Sequence, residues 1–217
     1  MFKQFFNFKT SRGFTLIELA IVLGVIGLVL GGLWATVSAV WEKTRQEKLY
    51  EEIFTIVKNV RSYYAGQAGI SGSFPALSTS LGNAGVFPGD MRRTAGCTNG
   101  GAQCFDHPWA TTALATPEGS FTICPWTVAG VVCGAGPSPL FSIHLRDIPS
   151  EACINAVTKN SGTAAQPGLV DVVINGVSMV AAGGRLPPAV SLVRTNCAAV
   201  TTTPALDFVY RIIPPTN

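Results

Sequence analysis

Arg12-Gly13-Phe14-Thr15-Leu16-Ile17-Glu18-Leu19 opens an apolar run that continues to Trp41. Between Phe14 and Trp41 the polar exceptions are Thr15, Glu18, Thr36 and Ser38. A span of hydrocarbon needs about 20 apolar residues, and this run is longer. Glu18 is the anomaly. A charge at the centre of a bilayer helix costs roughly 2.5–3.5 kcal/mol on insertion scales, and such groups usually have a partner and a task.

Residues 1–13 carry Lys3, Lys9 and Arg12 and no acid. Basic residues on this side favour a cytoplasmic N-terminus. A secretory signal would have an apolar core of about 7–15 residues followed by a small-x-small cleavage site. Here the apolar segment is too long. Ala35-Thr36-Val37-Ser38-Ala39 imitates a cleavage site, but a cut there would discard a helix that continues. The alternative is a cut ahead of the run, between Gly13 and Phe14. That would create an amine at the start of a helix, with Glu18 on the same face about one turn along. A neighbouring chain's amine could reach Glu18 in a bundle of staggered helices. A buried acid and amine are tolerable together and costly apart, so the pair would reward one axial stagger.

Arg12-Gly13-Phe14-Thr15-Leu16-Ile17-Glu18 resembles the processing site of type IV prepilins. The resemblance covers the leader and the helix. It implies that a prepilin peptidase cuts after Gly13 and N-methylates Phe14, and that Glu18 pairs with the N-terminal amine of another subunit. It also implies the partners. These are the inner membrane before assembly, the pilus assembly machinery within it, and further copies of the chain in a homopolymeric filament. The head would be periplasmic in the precursor and extracellular in the pilus.

Gly24, Gly27, Gly31, Gly32 and Ala35 punctuate the same segment. Gly27 and Gly31 form a small-xxx-small pattern that lets helices approach closely, although a glycine-tolerant membrane helix also accounts for it. No proline lies between Phe14 and Phe74, so Gly31-Gly32 is the expected place for any bend.

The helix does not end at Trp41, which suits a membrane interface. Charged helix formers occupy Glu42–Lys48, and Leu49, Ile53, Ile56, Val57, Val60 and Tyr64 then recur at spacings of three and four. That is an amphipathic stripe. Glu47, Glu51, Lys58 and Arg61 fall mostly off it, and Glu51-Glu52 reads as its polar face. One helix is predicted from about Thr15 to Ala65. The expected organisation is a leader (1–13), a filament-core helix (14–41), its amphipathic continuation (42–66) and a head (67–217).

Gly66, Gly69, Gly72 and Pro75 stop the helix. To about Ser120 the sequence predicts a long loop with small helical pieces such as Pro75–Leu81, and it makes Arg92-Arg93 a solvated loop doublet. Strands are expected at Phe121–Val128 and Leu140–Leu145, with a turn region at Val131–Pro137. A short helix is expected at Ile148–Val157, where proline and acid suit a helix N-terminus. Leu169–Ile174 and Val177–Val180 flank Asn175-Gly176, a hairpin signal. Leu206–Ile213 is a final strand buried in the sheet.

Six cysteines, at 97, 104, 124, 133, 153 and 197, follow the helix, which suggests disulfides in an oxidising compartment. Six allow fifteen pairings. Proximity favours Cys97–Cys104 and Cys124–Cys133. The helix bearing Cys153, with Cys197 late in the chain, resembles the type IVb pilins, which implies a Cys153–Cys197 bridge closing the C-terminal region. Phe14 as first mature residue, the short leader and the four additional cysteines depart from that subclass. The implied fold is α+β: a pilin fold whose long N-terminal helix packs on an antiparallel sheet, stapled by disulfides.

Away from the leader, 12 basic and 12 acidic residues balance, which leaves no direct nucleic-acid signal. The cysteines lack zinc spacing, and neither a metal nor a cofactor is expected. Nucleophile-elbow, Walker and zincin motifs are missing, Asp106-His107 alone is a weak acid–base candidate, and the chain is not expected to be an enzyme. The expected function is a structural subunit of a type IV pilus, serving adhesion, conjugation or a related surface role. A minor pilin or type II secretion pseudopilin is the near alternative. A membrane-anchored periplasmic enzyme or binding protein is the distant one.

Overall fold

The computed structural model describes residues 15–73, 76–93, 103–110, 119–127, 136–162, 166–180, 186–199 and 205–213. Helix α1 runs unbroken from Leu16 to Tyr63, through Gly31-Gly32. The chain divides into two compact units, residues 1–43 and 44–217.

In the second unit the expected stripe is the buried face of α1. Leu49, Ile53, Ile56, Val57, Val60 and Tyr64 are all buried, whereas Glu47, Glu51 and Lys58 are exposed. Glu52 corrects the reading of Glu51-Glu52 as a polar face. It lies four residues after Lys48, on the edge of the stripe, and only 5% of it is exposed.

Seven antiparallel strands are present among the described residues: β1 Arg92–Arg93, β2 Cys104–Phe105, β3 Phe121–Pro125, β4 Leu140–Leu145, β5 Leu169–Ile174, β6 Val177–Ser178 and β7 Leu206–Arg211. Their order is β1-β2-β3-β4-β7-β5-β6. The last strand therefore lies inside the sheet, with β4 and β5 as its neighbours. Alternation along each strand sends Phe121, Ile123, Phe141, Ile143, Leu145, Val172, Ile174, Leu206, Phe208 and Tyr210 to one face. They join the α1 stripe in a single core. The other face carries a small cluster of Trp126, Val173 and Val209. Burial on both faces explains why the central strands read as continuous β-formers rather than alternating ones.

The short helices are α2 Ala76–Asn83, α3 Ser150–Ser161 and α4 Val190–Ala198. Helix α3 starts after Pro149 with Glu151 in its first turn, in keeping with the positive end of a helix dipole. Asn175 and Gly176 both have positive φ, 52° and 81°, as the tight turn between β5 and β6 requires.

Two expectations fail here. The stretch before Ser120 is not simply loop, because Arg92-Arg93 forms β1 and pairs with Cys104-Phe105. Arg93 Nε lies 3.2 Å from Asp106 Oδ2, so the doublet is not merely solvated. Helix α4 was not expected. Its β-branched residues weaken helix propensity, but Val193 and Cys197, four apart, are both buried, and tertiary packing outweighs the propensity. The expected turn at Val131–Pro137 lies largely outside the described residues.

Candidate functional site

The N-terminal half of α1 begins on a cap. The Thr15 hydroxyl accepts from the Glu18 backbone N–H at 3.3 Å, and the Thr15 carbonyl accepts from Leu19 N at 3.1 Å. Thr15-Leu16-Ile17-Glu18 has the spacing of a capping box, a signal the sequence reading passed over. Glu18 is thus in the first turn, where a carboxylate is favoured by the helix dipole.

Beyond the cap, the large apolar side chains stay on the surface among the described residues. Leu16 is 88% exposed and Trp34 79%, and the large apolar residues from Leu16 to Trp41 are all exposed. A side chain added at Gly24, Gly27, Gly31 or Gly32 would meet nothing within 4 Å. The helix is long and apolar enough to cross a membrane. A helix apolar on all sides must be covered by lipid or by other helices. Gly13, Phe14 and the Ala35 side chain lie outside the described residues.

In the head, Cys153 and Cys197 are joined, with Cα atoms 6.0 Å apart, tying α3 to α4. Both sulfurs are buried. Cys104 and Cys124 each take part in a disulfide. Cys97 and Cys133 lie outside the described residues, and so do the two pairings expected from proximity.

The imidazoles and their carboxylates belong to a buried polar network across one end of the sheet. His144 and Asp207 face each other on β4 and β7, with Nδ1 and Oδ1 2.6 Å apart. Arg146 Nε donates to His144 Nε2 at 3.1 Å. That contact fixes the tautomer, so Nδ1 carries the hydrogen that Asp207 accepts. The pair resembles the base and orienting acid of a hydrolase, but the nitrogen that would take a proton from a nucleophile is filled by an arginine. His107 Nε2 donates to the Arg146 carbonyl at 2.6 Å, and its Nδ1 accepts from Trp109 N at 3.2 Å. Burial pushes the His107 pKa down. Asp106 accepts from the Ser120 backbone N–H at 2.9 Å and from its hydroxyl at 3.1 Å. Asp106-His107 is therefore committed to holding β2 against β3 and β4. No grouping of three potential metal ligands exists among the described residues.

Arg61 binds the end of α1 to the sheet. It donates to the carbonyls of Arg211, at 3.1 Å, and Pro167, at 2.5 Å, and its guanidinium lies over the Tyr210 ring. These contacts make the rear half of α1 a scaffold for the head.

Comparison with known proteins bears on both halves. The family described as "Prokaryotic N-terminal methylation motif" matches residues 8–34. The family described as "PilS N terminal" matches residues 43–206. Among solved structures, the crystal structure of type IV b pilin from Salmonella typhi matches with a TM-score of 0.51 and 22% identity, covering 72% of this chain and 93% of that one. No curated protein matches. The fold is that of a pilin, and its head carries most of the match to a pilin family. This chain belongs to the PilS N-terminal family, carries the N-terminal methylation motif of prepilins and has the fold of a type IVb pilin.

Proposed function

We propose that this chain is the building subunit of a type IVb-like pilus, held in the inner membrane by α1 until its leader is removed. The observation that carries the proposal is the apolar half of α1, which is exposed throughout and begins at a methylation motif. The prepilin peptidase cuts between Gly13 and Phe14 and methylates the Phe14 amine. The N-terminus is cytoplasmic and the head periplasmic in the precursor.

Assembly then moves the exposed apolar surface out of lipid and into contact with copies of itself. Burial in lipid already satisfies the hydrophobic effect, so close packing must add to it. Gly24, Gly27 and Gly31 supply that, because among the described residues nothing lies within 4 Å of where a side chain would stand. Glu18 sets the stagger by accepting the Phe14 amine of a neighbour. The Thr15 cap holds Glu18 in the first helical turn, close to where such an amine would arrive. The sheet and short helices of residues 44–217 coat the filament and present the surface used in adhesion, conjugation or a related task.

Filament yield tests the assembly step. Glu18→Val removes the charge and keeps an apolar, helix-compatible side chain. The variant should be processed normally and recovered from membranes, with little protein in sheared surface filaments. Wild-type filament yield from Glu18→Val would refute the pairing. Abundance in those sheared filaments also separates a major subunit from a minor one.

A further inference from the structure

Where α1 enters the head, one ammonium group stands between two carboxylates. Lys48 Nζ is 2.7 Å from Asp90 Oδ2 and 3.8 Å from Glu52 Oε1. The three groups differ in their access to water. The Lys48 and Asp90 side chains are 47% and 56% exposed, whereas that of Glu52 is 6% exposed. Oε2 of Glu52 is buried and has no hydrogen-bond partner among the described residues.

Of the two carboxylates, Lys48 therefore binds the exposed one closely and the buried one loosely. That is the arrangement expected if the buried carboxyl is neutral. An ionised carboxylate in that position, with one oxygen unsatisfied, would be costly. Burial is the main cause pushing the Glu52 pKa up, to about 7, with Lys48 opposing and Asp90 adding to the shift. The other two groups stay charged through the neutral range. Lys48 holds the Asp90 carboxyl below its usual value, and Asp90 raises Lys48. Lys48 on its own helix and Asp90 on the opposing turn are the charged groups that act on Glu52. Glu47 and Glu51 are exposed, Arg92 is exposed, and Arg93 is ion-paired with Asp106.

We propose that Lys48 is a two-position latch, holding Asp90 and the turn Gly89–Met91 while the Glu52 carboxyl is protonated and moving onto Glu52 when that carboxyl ionises. The spacing permits the exchange, since Lys48 and Glu52 are four residues apart and share a helix face. Asp90 tolerates release because it is more than half exposed and water can replace the ammonium. The turn it leaves leads straight into β1 at the edge of the sheet, and the Met91 carbonyl accepts from Asp106 N at 2.9 Å. The latch thus couples proton concentration to how firmly this edge of the head is tied to α1.

Hydrogen exchange of the full-length protein in detergent micelles, read on peptides covering residues 87–93 between pH 6 and 8.5, tests the latch. Rates are corrected for the intrinsic pH dependence of exchange. In the wild type, protection of this segment should fall several-fold with a midpoint near pH 7. Glu52→Gln should keep the protection of the low-pH state throughout, with no step. Lys48→Met should show low protection and no step, which provides a second reading if Glu52→Gln does not fold. A wild type without a step would overturn the proposal. So would a step of wild-type size in either variant.

Discussion

Breaking the bridge between α3 and α4 should cost the head a large part of its stability. The perturbation is Cys153→Ala with Cys197→Ala, made in residues 44–217, which form a compact unit. The bridge spans a sequence separation of 44. In the chain-entropy model, opening a loop of that size returns about 4 kcal/mol of freedom to the unfolded chain. Both cysteines are buried, at 0% and 1% exposure, so the lost sulfurs add a packing cost. Replacing them by alanine should bring the total to about 4–5 kcal/mol. At an ordinary denaturant sensitivity this lowers the urea midpoint by about 2 M. The loss should be felt first in α4, whose buried residues are only Val193 and Cys197. Urea unfolding followed by circular dichroism gives the free energy, and hydrogen exchange locates the weakened element. A fall of less than about 1 kcal/mol would refute the reasoning, because it would place the stability of the α3–α4 pair in packing rather than in the closed loop.

The scaffold role of α1 predicts that Ile56→Ala, at a position with no exposed surface, destabilises the head by about 2–5 kcal/mol in the same assay. Lys58→Ala, on the exposed side of the same helix, should change stability by no more than about 0.5 kcal/mol. The His107 pKa is lowered by burial, so as pH falls the unfolded chain takes up a proton that the folded chain resists. The stability that neutral His107 contributes is therefore complete above the ordinary histidine range and is lost as pH drops below it, toward the folded pKa. Urea midpoints at pH 7.5 and pH 5 should differ more for the wild type than for His107→Gln, and equal differences would count against the buried, neutral imidazole.

Much of this architecture is legible in the chain. The stripe from Leu49 to Tyr64 is visible because one face of a long helix meets one core, so its spacing survives in the sequence. Leu140–Leu145 and the Asn175-Gly176 turn are visible for local reasons, β-rich runs and a dipeptide suited to positive φ. Other features depend on distant partners. Arg92-Arg93 becomes a strand only because Cys104-Phe105 pairs with it, and two residues carry no periodicity. Helix α4 is set by packing and by its bond to α3 against a β-branched composition. Glu52 lies three residues after Leu49 and four before Ile56, so its place beside the stripe is legible, but its ion-pair partner's second contact, Asp90, lies some forty residues on and is not. At the N-terminus the opposite holds. Glu18 stands out in the sequence as a charge among apolar residues, while the Thr15 cap beside it hides in plain composition and emerges from the hydrogen bond. The Cys153–Cys197 bridge is legible only through resemblance to a pilin subclass, since spacing alone leaves fifteen pairings open.

The N-terminus of the assembled protein tests the central claim most directly. Mass spectrometry of subunits purified from sheared surface material should find an N-terminal peptide that begins at Phe14, carries one methyl group on its amine and retains an unmodified Glu18. A subunit that begins at Met1, or one cut within Ala35–Ala39, would contradict the account, because either would leave no Phe14 amine for Glu18 to receive.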